Sequence, residues 1–214
     1  LVESNRKCIA DYKKVYAHKC HTHDNLLDAI ECIKPTTLIG VSGQGGAFTQ
    51  SVVEKFVNCS SVPPIIMALS NPTDKAECTA EAAYKWSKNK AAFISGSPFK
   101  PVICTDGITR KPGQGNNAYV FPGIGLGAVS CGATKLDDDD FIVAAKALAE
   151  QVTEDNLLQG TYYPDISRIR EVSANIAVQI CKNQWIKNTG SVPPPGWVQE
   201  EFHIYRWIVE KMYK

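Results

Sequence analysis

The chain has 214 residues, 44% of them hydrophobic and 21% charged, enough to bury a sizeable core without disulfide or metal support. Its 23 basic side chains balance 22 acidic ones to a net charge of +1, so it has no long-range field to draw nucleic acid or anionic lipid. No apolar run approaches the roughly 18 residues that cross a bilayer, and the eight cysteines (8, 20, 32, 59, 78, 104, 131 and 181) form no C-x-x-C pair, which reads as reduced thiols inside a cell. The sequence opens at Leu1 with no initiator methionine or leader and stops at Lys214 inside an amphipathic pattern. Both ends are therefore expected to be cut, with any targeting signal outside them. The cytoplasm is the expected location, and an organelle stays open.

In chain order, Leu26, Leu27, Ile30 and Ile33 fall at helical spacing, with Pro35 as the stop. A β-branched run, Thr36 to Val41, leads into the glycine-rich turn Ser42-Gly43-Gln44-Gly45-Gly46, then a helix carrying Val52, Val53, Phe56 and Val57. Pro64 to Leu69 predicts a second strand, ended by Ser70-Asn71-Pro72-Thr73, and Thr79 predicts the cap of a helix through Trp86. Ala91 to Ser95 predicts a third strand. Three buried runs separated by helices argue for a parallel sheet. Asp106-Gly107 signals a hairpin between Ile103 and Ile108, and Pro112 to Asn117 reads as a glycine-rich loop. The small residues of Ile124 to Ser130 suit a helix pressed against a neighbour or a ligand. Asp137 to Asp140 read as the solvated start of another helix. Ile169, Val172, Ile176 and Ile180 line a long helix; Pro193 to Gly196 is a stiff linker. Phe202, Tyr205, Ile208, Val209 and Met212 form a last apolar stripe that docks on the core or on another subunit.

Four turns carry chemistry. Glycines at 40, 43, 45 and 46 let backbone approach a ligand where a strand opens into a helix, although the spacing is not G-x-G-x-x-G and a purely structural turn stays open. Asn71 sits where the second strand ends, the place where open α/β sheets bind ligands, and its carboxamide both donates and accepts. An Asx-type turn is the alternative there. Asn116 and Asn117, flanked by glycine, offer the same chemistry, and Ser95-Gly96-Ser97 makes a fourth small-residue turn. His18, Cys20, His21 and His23 have zinc-ligand character, but no second cluster completes a site, and an exposed loop is favoured. No Ser-His-Asp set or P-loop is present.

These motifs resemble the malic enzyme family. The resemblance lies in Leu38 to Gly43 with Gly46-Ala47-Phe48-Thr49, in Ala68 to Thr73 with Ala76-Glu77-Cys78-Thr79, and in Ser95 to Phe99. It continues in Pro112 to Gly123 and in Tyr162-Tyr163-Pro164 with Ile169 to Ser173, spanning Leu1 to about Ile180 in order. Met212-Tyr213-Lys214 is similar to the start of the family's closing segment.

The resemblance implies an α/β fold: a partial Rossmann-like parallel sheet with flanking helices and substrate loops over residues 1–125, then a mostly helical region over 126–214. It implies oxidative decarboxylation of L-malate to pyruvate and CO2, with hydride passing to NADP (NAD possible) and Mg2+ or Mn2+ polarising the substrate. Asn71, Asn116 and Asn117 would contact malate, with Asn71 also near the nicotinamide. Gly40, Ser42, Gly43 and Gly45 would line the dinucleotide, and Lys13 would face a 2′-phosphate. The catalytic tyrosine and lysine and the metal-ligating acids precede the position matching Leu1, so the chain itself is expected to hold no catalytic group and no metal ligand. A homo-oligomer is implied, with no membrane or nucleic-acid partner. Two other classes stay open: a non-catalytic nucleotide-binding or subunit-interaction module, and another hydroxy-acid dehydrogenase.

Overall fold

The computed structural model describes residues 8–19, 23, 25–193, 197 and 200–213. Cys20 and His21 of the histidine-rich stretch, Pro194 to Gly196 of the proline linker, and the terminal Leu1 and Lys214 lie outside them. The chain divides into two compact units, residues 1–93 with 103–108, and residues 94–102 with 109–214.

In the first unit, α1 (Asp11–Lys14) precedes α2 (Leu26–Ile33), β1 (Thr37–Gly40), α3 (Gln50–Cys59), β2 (Ile65–Ala68) and α4 (Ala80–Trp86). The helix ends follow local chemistry. Asn25 caps α2 by accepting the Asp28 amide, and Lys34 closes it in the left-handed region at φ 50°, just before Pro35. Thr49 and Thr79 cap α3 and α4 by accepting the amides of Val52 and Ala82. Strands β1 and β2 run parallel, with Leu38 opposite Ile66 and Gly40 opposite Ala68. Buried Ile30, Val53, Phe56, Ile66 and Ala83 make the core of this unit. The predicted turn at Asp106-Gly107 forms: Gly107 takes φ 78°, its amide reaches the Cys104 carbonyl, and the Cys104 amide reaches Ile108.

Strand β3 (Ala92–Ser95) follows, and the short strands β4 (Val102–Ile103) and β5 (Thr109–Arg110) pair as a two-stranded ribbon. The main sheet has the order β1-β2-β3-β6. Its last member, β6 (Gly113–Gln114), lies where a loop is expected; Ile94 pairs with Gly113 and Ser95 with Gln114, in parallel. Two residues leave no periodicity to read, and glycine disfavours strands on propensity alone. Position 113 has little room for anything else, since a Cβ there would lie 3.3 Å from the Tyr163 ring.

The rest of the second unit is helical: α5 (Phe121–Ser130), α6 (Asp138–Ala149), α7 (Glu154–Leu158), α8 (Ile169–Ile186) and α9 (Glu201–Lys211). The small residues of α5 press against a neighbouring helix. A Cβ on Gly123 would sit 2.7 Å from the Ile176 Cβ, and one on Gly127 would sit 2.8 Å from the Ile180 Cβ, so only glycine lets α5 approach α8 this closely. Two core groups result. Ile124, Ala144, Leu148, Val172 and Ile176 make one; Cys131, Ala177, Cys181, Trp185, Ile204 and Ile208 make the other.

Two expectations need correction here. The acids at the start of α6 are not all solvated: Asp140 is fully buried and accepts from Asn183 Nδ2 (2.8 Å), Gln184 Nε2 (2.8 Å) and the Asp137 amide (2.9 Å). Its two side-chain partners lie more than 40 residues away, beyond the reach of a local charge pattern. The apolar stripe of α9 is also rotated. Ile204 and Ile208 are buried, whereas Phe202 and Val209 stay exposed.

Candidate functional site

Strands β1 and β2 end side by side, at Gly40 and Ala68, and the turns that follow them are tied together within the first unit. The Leu69 amide donates to the Gly40 carbonyl at 2.9 Å. The chain then turns through Gly43 and Gly46, at φ 69° and 74°, before Thr49 caps α3. Such values suit glycine and few other residues. A Cβ on Gly45 would fall 2.5 Å from the Asp74 carbonyl oxygen, so that glycine lets the two turns touch. Two further bonds run alongside, from the Gly46 amide to Ala76 O (3.1 Å) and from the Phe48 amide to Glu77 O (3.0 Å).

At the centre lies a side chain that pattern reading missed. Glu77 is 1% exposed. Its Oε1 accepts the Ser70 hydroxyl at 2.5 Å, and the Ser70 amide lies 3.5 Å from its Oε2. Ser70 Oγ in turn accepts the Gly43 amide at 2.9 Å. Gly40 makes room for this carboxylate, because a Cβ there would lie 2.4 Å from Glu77 Cδ. Burial, reinforced by the neighbouring Glu77, pushes the Cys78 thiol up to about 12, so Cys78 stays protonated packing material. The available signal was an acid set between Ala76 and Cys78, both buried, just ahead of a helix cap.

Asn71 stands exposed at the carboxyl end of β2, with a cis peptide bond to Pro72. Its Nδ2 donates to the Leu69 carbonyl at 3.2 Å, which orients the carboxamide within its own turn. Gly40, Gly43, Gly45 and Asn71 are thus gathered into one cluster of turns, and Ser42 lies in the same glycine turn. Lys13 is exposed on α1, its ammonium 5.7 Å from the centre of the Tyr12 ring.

Asn116 and Asn117 belong to the second unit. The Gly115 amide donates to Ser95 O at 2.7 Å, fastening this loop to the end of β3, where Ser95 Oγ donates to Ser97 O at 2.6 Å. Asn116 Oδ1 accepts the Ala118 amide at 2.9 Å and starts a 3-10 turn over Asn117–Tyr119, leaving Asn117 exposed. Beside the loop is a cavity of about 220 Å3, lined by Phe99, Gln114, Tyr119, Tyr163 and the Lys111–Asp165 pair among others; neither asparagine lines it. Among the described residues, no group of three or more His, Cys, Asp or Glu side chains is placed to hold a metal ion. No described helix is long and apolar enough to cross a membrane.

Parallel strands ending in glycine and asparagine turns, each leading toward a helix, define an α/β protein of the Rossmann-like class. The comparisons narrow this further. Residues 1–185 match the family described as malic enzyme, NAD binding domain, and the chain belongs to that family. It is 46% identical over 194 residues to the NADP-dependent malic enzyme of Columba livia, covering 91% of this chain and 35% of that protein. It is 50% identical over 177 residues to NADP-dependent malic enzyme 2 of Arabidopsis thaliana, covering 83% and 30%. The chain therefore spans about a third of the length of the curated relatives it matches. Among solved structures, the malic enzyme of Entamoeba histolytica superposes with a TM-score of 0.73 at 20% identity, over 98% of this chain and 40% of that one. That of Pyrococcus horikoshii gives 0.62 at 24% identity, over 86% and 37%; both likenesses speak to the fold.

Proposed function

We propose that the protein carrying this chain oxidises and decarboxylates L-malate to pyruvate and CO2 with NADP as cofactor, and that this chain supplies part of the dinucleotide and malate contacts. The observation that carries the reading is the pair of interlocked turns after β1 and β2, in a member of the malic enzyme family. The relatives' printed names favour NADP over NAD.

The residues fit a dinucleotide. Gly43 and Gly46 hold positive-φ conformations that few other residues adopt, and the exposed Ser42, Gly43 and Gly45 present main chain that a pyrophosphate or ribose can approach, with Gly40 buried against Glu77 at the foot of the turn. When bound, the nicotinamide accepts the hydride. Asn71 can donate to a malate carboxylate or accept from an amide, because its carboxamide has both polarities. Asn116 spends its oxygen on Ala118, so its Nδ2 hydrogens are what it offers a carboxylate, with Asn117 beside it. Lys13 would attract the 2′-phosphate dianion. Among the described residues no cluster of three or more His, Cys, Asp or Glu side chains is placed to hold Mg2+ or Mn2+, and no step is assigned through a metal. Assembly as a homo-oligomer and an intracellular location belong to the same proposal.

The test is malate-dependent NADPH formation by the purified natural protein containing this chain, followed by absorbance of the reduced nicotinamide. Activity is expected, and Asn71→Ala should lower kcat/KM roughly tenfold or more, the effect of losing one hydrogen bond to a charged group. Absence of malate-dependent NADPH formation overturns the reading; an unchanged kcat/KM removes Asn71 from the site. The 214-residue chain by itself is expected to form no NADPH from malate.

A further inference from the structure

We propose that Glu77 is a positioning residue for the dinucleotide turn, acting through Ser70 on the Gly43 amide; this rests on the dinucleotide reading above. A serine hydroxyl has a single proton. Here it goes to Glu77 Oε1, which leaves the Ser70 oxygen to accept the Gly43 amide. The second carboxylate oxygen faces the Ser70 amide. A carboxylate presents acceptors on both oxygens, whereas a carboxamide presents one acceptor and one donor. The orientation of the Gly43 peptide, in the turn proposed to meet the cofactor, is thus set by a buried acid well further along the chain.

Three further features point the same way. Gly40 is stripped of a side chain where a Cβ would strike Glu77 Cδ at 2.4 Å, so the end of β1 is shaped around this carboxylate. The Glu77 carbonyl accepts the Phe48 amide, so the same residue also holds the chain as it enters α3. Ser70 immediately precedes Asn71, which makes one network responsible for both the glycine turn and the asparagine turn. Burying an acid at 1% exposure is unfavourable unless its oxygens are satisfied, and a plain core position would be filled by an apolar residue. The function of this acid is to fix two turns in one geometry.

The experiment uses the natural protein with Glu77→Gln, Ser70→Ala and the double variant, and Ile30→Ala on α2 as a buried control away from the turns. Two quantities are read: hydrogen exchange of the Gly43 amide, and the Kd for NADP by calorimetry. Glu77→Gln is expected to speed Gly43 exchange and to raise the NADP Kd about tenfold, with Ser70→Ala similar and the double variant no worse than either. Ile30→Ala should lower Tm and leave the Kd unchanged. Should Glu77→Gln fail to fold, Ser70→Ala carries the same two readouts. Unchanged Gly43 exchange and Kd in the variants overturn the proposal, and so does an equal weakening by Ile30→Ala, which would make Glu77 merely structural. A wild-type protein that binds no NADP removes the dinucleotide reading and this inference with it. In that case Gly43 exchange in Glu77→Gln still reports on the hydrogen-bond relay separately.

Discussion

Two glycines in α5, one residue between them, should respond in opposite directions to the same substitution if Gly125 and Gly127 differ only in what lies beyond them. Gly127 lies against α8, where an added Cβ would stand 2.8 Å from the Ile180 Cβ, 2.9 Å from the Ala177 carbonyl oxygen and 3.0 Å from the Ala177 Cα. Two of those atoms are helix backbone, which cannot swing aside without separating the helices. Overpacking of this kind costs about 1–3 kcal/mol, and the better helix propensity of alanine returns about 0.8–1.0 kcal/mol. With backbone contacts this short, the expected net loss for Gly127→Ala is about 1–2 kcal/mol. A Cβ on Gly125 would meet nothing within 4 Å, so Gly125→Ala gains the propensity difference alone, about 1 kcal/mol. The two variants should therefore differ by about 2–3 kcal/mol, or roughly 5–10 °C in Tm for a protein of this size. Urea unfolding followed by far-UV circular dichroism measures this, with the difference in the midpoint and no change in slope. A Gly127→Ala variant as stable as Gly125→Ala would refute the close-approach argument for α5 and α8.

Asp140→Ala should destabilise by about 2–4 kcal/mol, because it removes the acceptor of the Asn183 amide and one of the two acceptors of the Gln184 amide, together with half of a capping box; chemical denaturation checks it. Asp165 carries a pH signature. The backbone amide of Ser167, then its hydroxyl, then Lys111, hold the Asp165 carboxyl at about 2, below the usual 3.8. The folded value is depressed, so this stabilisation is present above about pH 4 and is lost as pH falls toward about 2. The stability gap between wild type and Asp165→Asn should be constant above about pH 4 and shrink below it, and a gap that does not vary with pH would contradict the assignment. Lys13→Gln should raise the Kd for NADP about threefold, the scale of an exposed charge pair, and leave NAD unaffected; equal effects on both reject the phosphate role.

Much of the fold was legible because its signals are local. Thr79 caps the helix its position suggests, and Lys34 ends α2 just before the proline. The three apolar runs became β1, β2 and β3. The turn residues of the candidate site were legible too, since glycine and asparagine advertise the conformations they permit. Glu77 was not, because nothing in the pattern around an acid says which way its carboxylate points.

The amino-acid sequence alone thus determined the three strands β1 to β3 with the helices between them, the stop of α2, the cap of α4, the turns above β1 and β2, and the resemblance to the malic enzyme family, all of which rest on neighbours within a few residues or on motif order. Only the tertiary structure decided that Gly113 and Gln114 form a strand against β3, that Asp140 is buried beneath α8, and that Glu77 binds two turns together. A hydrogen bond between residues far apart in the chain forms when packing brings them within about 3 Å. A side chain's solvation follows from that same packing, so burial and partners become readable only once the chain has folded.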